Sequence, residues 1–168
     1  MSLIRERFSG ANLIRHSNRV LCSYNDICQG LSEDIVILLN NDVRVDSGFV
    51  GPLVALFEEN PDLFLASPKC MDFEGTRVMG TFCRARFVGG LLRVTDEPLG
   101  GAEDDKQRET LAAGAAAAYH RRRFVELEGF DELYLPGTLE DVDLGFRGWR
   151  AGWRALYEPK SVVFHAGQ

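Results

Sequence analysis

The length, composition and charge of the chain exclude several classes of protein. Its 168 residues are 45% hydrophobic, enough to bury one sizeable core, and neither a secretory leader nor an apolar stretch of about 18 residues is present. A net charge of −6 gives no general electrostatic attraction to nucleic acid or to an anionic membrane surface, so we expect a cytoplasmic globular domain that does not bind nucleic acid.

Hydrophobic patterning predicts alternating strands and helices in the first part of the chain. In order, we expect a strand at 13–14, a helix at 19–29, a strand buried on both faces at 35–39, a helix from Asp46 or Ser47 to 59, and a strand at 64–67. Asp46 or Ser47 would cap its helix, and Pro61 would stop it. This alternation predicts an α/β fold with a mostly parallel sheet and helices on its faces.

The pattern is less regular at about 75–110, where glycine pairs and an acidic stretch indicate a variable, partly mobile excursion. The alanine-rich segment 111–119 that follows favours a helix by intrinsic propensity. Beyond it we expect a helix at 122–126, a helix at 139–151 that Gly152 ends, and strands at 154–157 and 162–165.

Asp42 is the first residue that could carry chemistry. It follows the buried strand 35–39, after Asn40 and Asn41, and open α/β sheets bind ligands at the carboxyl ends of their strands. A carboxylate there can hold a hard divalent cation that bridges the two phosphates of a donor. The alternative is a turn aspartate, because Asn and Asp favour turns.

Glu140 and Asp141 form a second candidate site in the first turn of a helix. A carboxylate at a helix N-terminus stays ionised and can accept a proton from a bound hydroxyl. The alternative is a capping box of Thr138 and Asp141. A capping box accounts for only one acidic residue, whereas this helix start has three: Glu140, Asp141 and Asp143.

His165 is the third candidate, at the end of a short apolar strand. A neutral imidazole at this position could complete a metal site whose other ligand is Asp42. The alternative is a histidine that only makes a hydrogen bond, and the spacing of the residues leaves both open.

These three places fall in the same order as the motifs of a known family. Residues 35–43 (IVILLNNDV) resemble the aspartate-containing metal motif of family 2 glycosyltransferases of the GT-A fold. Residues 129–132 (GFDE), Leu135-Pro136 and 140–147 (EDVDLGFR) resemble the acceptor-side motif of that family, and 163–165 (VFH) its terminal histidine motif. Gly114-Ala115, followed by Arg121, is similar to the strand before the acceptor-side helix, which implies a strand at 111–119.

The resemblance implies a Rossmann-like GT-A fold and a single catalytic domain over residues 1–168. It implies that Asp42 and His165 bind Mg²⁺ or Mn²⁺ on the donor diphosphate, with Asn41 and Gly114 also in the cofactor and donor site. Asp141 would be the base, supported by Glu140. The implied function is inverting transfer of a hexosyl or deoxyhexosyl group from a nucleotide-diphosphate sugar to a hydroxyl of a glycan or lipid-linked acceptor, in polysaccharide biosynthesis.

The sequence also departs from the family pattern. Asn40 and Asn41 stand where many members have aspartates, which leaves Asp42 as the one acidic ligand. The helix-entry glycine of the family is absent near Val20, and the Gln-x-x-Arg-Trp signature of processive synthases is absent around Trp149, which favours single addition.

Nothing in the chain corresponds to the first strand–helix–strand unit of the family, which binds the nucleoside. We therefore expect the N-terminal βαβ portion to be missing and the 168-residue chain alone to be inactive. The sheet edge left uncovered could pair with a second copy to form a homodimer. The acceptor or the missing segments could hold the protein at the inner face of the membrane.

Two other functions are alternatives. A non-catalytic domain that binds sugar nucleotides or glycans could keep the same scaffold without turnover. A sugar nucleotidyltransferase would also place acids at strand ends, but it should carry a glycine-rich, basic phosphate loop near its start, and no such loop is visible.

Overall fold

The computed structural model describes residues 6–15, 17–79, 81–98, 101–137 and 139–166, apart from the side chains at 81–82, 96–98 and 102–103. Its helices are α1 (Ser23–Gly30), α2 (Val50–Glu59), α3 (Arg121–Glu126) and α4 (Glu140–Arg150). Its strands are β1 (Ile35–Leu39), β2 (Val43–Val45), β3 (Leu63–Asp72), β4 (Val78–Met79), β5 (Thr81–Val88), β6 (Leu91–Pro98), β7 (Arg108–Glu109), β8 (Ala116–His120) and β9 (Arg154–His165). Short 3-10 turns occupy Gly101–Asp105 and Glu132–Tyr134. None of the helices in the described ranges has the length and apolar character needed to span a bilayer.

The main sheet has the strand order β1-β8-β3-β9-β2, with β4 paired to β3 and β7 to β9. The β3–β9 pair is parallel, and the other pairs of this sheet are antiparallel. The predicted α/β fold with flanking helices is confirmed, but the sheet is mixed rather than mostly parallel. The directions of β2 and β8 are not encoded in the strand–helix alternation of the sequence. Because β1, β3 and β9 point the same way, their carboxyl ends meet at one edge.

Two hydrophobic clusters cover the two faces of this sheet, because successive side chains of a strand point to opposite faces. One cluster joins α1, α3 and α4 to the sheet, through the buried residues Cys28, Phe124, Leu144, Phe64 and Tyr119 among others. The other joins α2 to the sheet, through Leu53, Leu56, Leu63, Leu156 and Val163 among others. Helices on both faces hold the carboxyl edge of the sheet in place.

Two buried glycines bring α4 against the rest of the fold. A Cβ on Gly145 would overlap the backbone carbonyl oxygen of Leu111, and a Cβ on Gly148 would lie 2.5 Å from Cδ1 of Phe64. A side chain at either position would push the helix away from its neighbours. The start of α4, with its acidic residues, is therefore fixed relative to the sheet by close backbone packing.

Several predicted boundaries are confirmed. β1 has the predicted bounds, although only Val36 is buried and its other side chains are half-buried. Segment 111–119 contains β8 rather than a helix, as the family resemblance implied. α3 and α4 lie within one residue of the predicted bounds, and Gly152 ends α4 with a left-handed backbone (φ 85°).

Other predicted boundaries are wrong. Residues 13–14 form no strand, and Ile14 is exposed. The helix expected at 19–29 begins at Ser23, because Val20 has a left-handed backbone (φ 52°) that a helix does not allow. The excursion at 75–110 contains the β5–β6 hairpin, and the strands expected at 154–157 and 162–165 are the single strand β9, with an irregularity in its register.

α2 also starts later than its sequence suggests. It begins at Val50, and the Asp46 carboxylate accepts a hydrogen bond at 2.9 Å from the backbone N–H of Gly48 in the preceding turn. Asp46 therefore stabilises the turn rather than capping the helix. The predicted stop is confirmed, since α2 ends at Glu59, shortly before Pro61.

Candidate active site

Asp42 and His165 come together at the edge where β1 and β9 end. Asp42 lies in the turn before β2, and the β2–β9 register pairs Val43 with His165. The backbone N–H of Ala166 donates to the carbonyl oxygen of Asp42 at 3.1 Å, and Nε2 of His165 lies 3.1 Å from Oδ2 of Asp42. The Asp42 side chain is 41% exposed and that of His165 24% exposed. The two residues predicted as metal ligands thus share one site that solvent can reach.

The chemistry and spacing of this pair fit a divalent ion. Carboxylate oxygen suits Mg²⁺ and Mn²⁺, and imidazole nitrogen is a common ligand of transition metals. Two ligands at adjacent positions of an octahedral ion, with bonds of about 2.1 Å, are about 3 Å apart, close to the separation of Asp42 and His165. Among the described residues, no three His, Cys, Asp or Glu side chains cluster as a metal site. An ion held by this pair would need water or substrate oxygens as its other ligands.

Asn41 and Gly114 lie near the same edge of the sheet. The β1–β8 register pairs Leu39 with Ala116, and the backbone N–H of Asn40 donates to the carbonyl oxygen of Ala115 at 3.0 Å. Asn41 follows Asn40 in the chain, and Gly114 precedes Ala115. Both residues are exposed. The turn that carries Asp42 and the loop that leads into β8 are therefore neighbours.

Glu140 and Asp141 occupy the first turn of α4, where no side chain caps the helix from Leu139. Glu140 is buried, and its Oε2 accepts from the backbone N–H of Leu139 at 2.9 Å. Oδ1 of Asp141 accepts from the backbone N–H of Val142 at 2.8 Å. Both acids make further interactions within the protein. The predicted capping partner Thr138 lies outside the described residues, so the capping box stays a prediction.

The negative charges at the start of α4 act on two buried groups. Burial, and then the charge of Asp141, raises the pKa of Tyr119. Burial, followed by the charges of Glu132 and Glu140, raises the pKa of the Cys22 thiol. The positive end of the helix dipole stabilises carboxylates in this position. The acids at the helix start therefore lie close to a buried phenol and a buried thiol.

An ion pair whose partners the sequence analysis did not assign lies at Arg147, which also holds α4 to the segment that follows α3. Nε of Arg147 donates to Oδ2 of Asp143 at 2.7 Å, one helical turn away. The same guanidinium donates to the carbonyl oxygens of Leu127 at 2.5 Å and Gly129 at 2.7 Å. Asp143 and Arg147 thus stabilise the fold. Their spacing of four residues on a helix is the sequence signal that could have indicated this ion pair.

Asn25 of α1 is a further positioning residue, which no signal in the sequence indicated. Its side-chain amide donates to the carbonyl oxygen of Phe130 at 2.8 Å, and its Oδ1 accepts from the N–H of Phe130 at 3.0 Å. Gly129 has a left-handed backbone (φ 68°), and a Cβ there would overlap the Asn25 side chain. The glycine of the acceptor-side motif is therefore required by geometry.

Two curated relatives are similar to the chain over nearly all of its length. They are the N-acetylglucosaminyl-diphospho-decaprenol L-rhamnosyltransferases of Mycobacterium tuberculosis strains CDC 1551 / Oshkosh and ATCC 25618 / H37Rv. Each is 42% identical over 179 residues, which cover 94% of this chain and 57% of the relative. The chain thus spans little more than half the length of the relatives it matches. No protein-family model matches it.

The crystal structure of GalNAc-T7 with UDP, GalNAc and Mn²⁺ is similar in fold, with a TM-score of 0.73 and 19% sequence identity. The similarity covers 98% of this chain and 33% of that chain. At this identity the likeness establishes the fold alone. The chain has the GT-A fold, and its similarity to the two rhamnosyltransferases agrees with the resemblance to family 2 glycosyltransferases drawn from the motifs.

Proposed function

We propose that this chain forms the catalytic part of an inverting glycosyltransferase that moves a sugar from a nucleotide-diphosphate donor to an acceptor hydroxyl. The observation that carries the proposal is the contact between Asp42 and His165 at the carboxyl edge of the sheet. Two motifs that lie far apart in the sequence meet there. Open α/β sheets bind ligands at this edge.

Asp42 and His165 would hold Mg²⁺ or Mn²⁺, with Asn41 and Gly114 beside the bound donor. When bound, the ion would act as a Lewis acid that offsets the charge of the diphosphate. The small, exposed Gly114 leaves room for a donor, because a Cβ there would contact no atom within 4 Å. The exposed Asn41 amide offers donors for phosphate or sugar oxygens.

Asp141 is the proposed base, and Glu140 its positioning neighbour. Asp141 would take the proton from the acceptor hydroxyl as that oxygen attacks the anomeric carbon and the bond from this carbon to the diphosphate oxygen breaks. The nucleoside diphosphate leaves, and this single displacement inverts the configuration. The N-terminus of α4 favours its ionised form. The buried Glu140, bonded to the N–H of Leu139, would hold the first turn in the conformation that presents Asp141.

The relatives suggest the class of donor and acceptor. Their name describes transfer of L-rhamnose, a deoxyhexose, to a decaprenol-linked N-acetylglucosaminyl diphosphate. We propose that this chain likewise uses a deoxyhexosyl donor and a lipid-linked acceptor, in the assembly of a polysaccharide. A cytoplasmic location, and action at the inner face of the membrane, are part of this proposal.

A transfer assay tests the proposed function. It uses the longest natural form of the protein that contains these residues. Rhamnosyl and hexosyl nucleotide donors are compared, with Mn²⁺ or Mg²⁺ and a polyprenyl-diphosphate-linked N-acetylglucosamine acceptor. We expect transfer of the deoxyhexose, with a product of inverted anomeric configuration by NMR. Donor binding without transfer or hydrolysis would instead indicate a non-catalytic binding domain.

The inactivity of the 168-residue chain on its own stays a prediction, as does the homodimer. Calorimetric titration of the chain with nucleotide sugars and Mn²⁺ checks the first. We expect weak binding, because two protein ligands leave most positions of the ion to water. Low-micromolar binding by the monomeric chain would contradict this expectation. Light scattering over a range of protein concentrations checks the second.

A further inference from the structure

The β5–β6 hairpin presents two different faces. Its strands pair from Thr81 and Pro98 to Val88 and Leu91, and Gly89 and Gly90 form the turn at its tip. One face lies toward α4, because Ala85 packs against the same buried cluster as Val142 and Phe146 of that helix. The ring of Phe87 lies 6.3 Å from that of Phe146 and 6.4 Å from that of Trp149. Contacts with α4 therefore fix which face of the hairpin points outward.

The outward face carries three arginines. Directly opposite residues of an antiparallel pair share a face, and the register places Arg84 opposite Thr95 and Arg86 opposite Arg93. All three arginines are exposed, and Arg84 and Arg86 also interact within the protein. Arginine keeps its charge at any physiological pH.

Like charges placed directly opposite each other destabilise a strand pair. Arg86 and Arg93 place two positive charges side by side, and an anionic surface would offset their repulsion. A pair of adjacent positive charges is unusual in a chain whose net charge is −6.

The tip next to these arginines is apolar and exposed. Val88 and Leu91 lie opposite each other, 49% and 67% exposed, on the same face as Arg86 and Arg93. Phe87 is 59% exposed and Trp149, which its ring contacts, 56% exposed. Exposed apolar groups next to cations are typical of segments that lie in a membrane interface.

We propose that the β5–β6 hairpin docks the protein on an anionic lipid bilayer. Val88 and Leu91 enter the interface, and Arg84, Arg86 and Arg93 contact the headgroup phosphates. Such a surface supplies both an apolar layer and a dense array of negative charge. Nucleic acid would supply the phosphates but no apolar layer for the tip, and the matching face of a second copy would bring like charges together. The docking rests on the proposed location at the inner face of the membrane, but it requires no glycosyl transfer, so a failure of either proposal can be told from a failure of the other.

Vesicle sedimentation tests the docking with the 168-residue chain. We compare vesicles of phosphatidylglycerol and phosphatidylcholine with vesicles of phosphatidylcholine alone. We expect binding to the anionic vesicles that weakens as salt is raised. The double variant R86Q/R93Q should bind about 25-fold less, since each cation near an anionic surface contributes about fivefold. The variant V88S/L91S should lose about tenfold or more, because two apolar groups no longer leave water.

Matched controls are V50S and R122Q, which change an exposed valine on α2 and an exposed arginine on α3. Both should bind like the unchanged chain, and circular dichroism should show that every variant is folded. Equal binding to both kinds of vesicle, no binding to either, or unchanged binding of R86Q/R93Q would overturn the proposal. Self-association that L91S abolishes, without vesicle binding, would assign the tip to a second copy instead and would also overturn it.

Discussion

Nε2 of His165, in the last residue of β9, lies 3.1 Å from Oδ2 of Asp42, in the turn that precedes β2. The β2–β9 pairing holds this contact, because Val43 is opposite His165. A short strand pair thus joins the residue that follows the first buried strand to a residue near the end of the chain. This pairing brings together, from two separate motifs, the two residues that we propose as metal ligands.

We expect Asp42→Asn and His165→Ala each to weaken the binding of Mn²⁺ with a nucleoside diphosphate by about tenfold or more. Loss of even an outer-sphere partner lowers metal affinity about 10- to 100-fold, and a direct ligand should matter at least as much. Titration calorimetry with Mn²⁺ and the diphosphate measures it. Asp46→Asn is the control, because the amide oxygen of the introduced side chain can still accept from Gly48. Full affinity in the Asp42 variant would remove the metal role.

Asp141→Asn should abolish transfer while leaving donor affinity and melting temperature nearly unchanged. An amide keeps the shape of the carboxylate and can still accept from Val142, but it cannot act as the base, which contributes about 10²- to 10⁴-fold to the rate. Transfer rates, donor titration and thermal unfolding measure these three properties.

Asp143→Asn is the contrasting variant. Its loss of charge weakens the pair with Arg147, so the melting temperature should fall, with a smaller effect on the rate. If Asp141→Asn instead lowered the melting temperature and kept the rate, a capping role would be the better account.

Gly145→Ala should destabilise the fold by about 1–3 kcal/mol, because the added methyl overlaps the Leu111 carbonyl oxygen. Gly51→Ala is the matched control, a glycine of α2 where a Cβ contacts no atom within 4 Å. That change should be neutral or stabilise by up to about 1 kcal/mol, since alanine is the better helix former. Urea unfolding of both variants measures the difference. Equal stabilities would mean that α4 does not approach the backbone so closely.

His120 should make the stability of the fold depend on pH. Burial, and then the charge of Arg123, lowers its pKa, and among the described residues its buried Nδ1 has no hydrogen-bond partner. The folded state therefore favours the neutral imidazole. This contribution is fully present above the unfolded-state pKa of about 6.5 and is lost as the pH falls from there through the lower folded-state pKa.

Urea unfolding between pH 8 and pH 5 measures this dependence. His120→Gln should flatten the slope below about pH 6.5. Asp72 does not interfere in this window, because hydrogen bonds from Thr76 and Arg77 lower its pKa and place its effect in more acidic solution. An unchanged slope in His120→Gln would assign the pH dependence to other groups.

Local sequence determined the elements whose signals lie within a few residues of one another. The apolar run of β1, the helical spacing of apolar residues in α4 and the stops at Pro61 and Gly152 all depend on backbone and side-chain preferences that act locally. The three motifs indicated the family and the fold. β8, with its run of alanines, was assigned correctly only through the family resemblance, because alanine by itself favours a helix.

Tertiary structure decided how these elements meet. The contact of Asp42 with His165, the hold of Asn25 on Phe130 and the approach of Gly145 to Leu111 join residues far apart in the chain. Which strands pair, and in which direction, depends on the combined free energy of packing across the sheet. Hydrophobic period and capping signals describe one segment at a time. For the same reason, only the register of β5 and β6 shows that Arg84, Arg86 and Arg93 lie on one face of the hairpin.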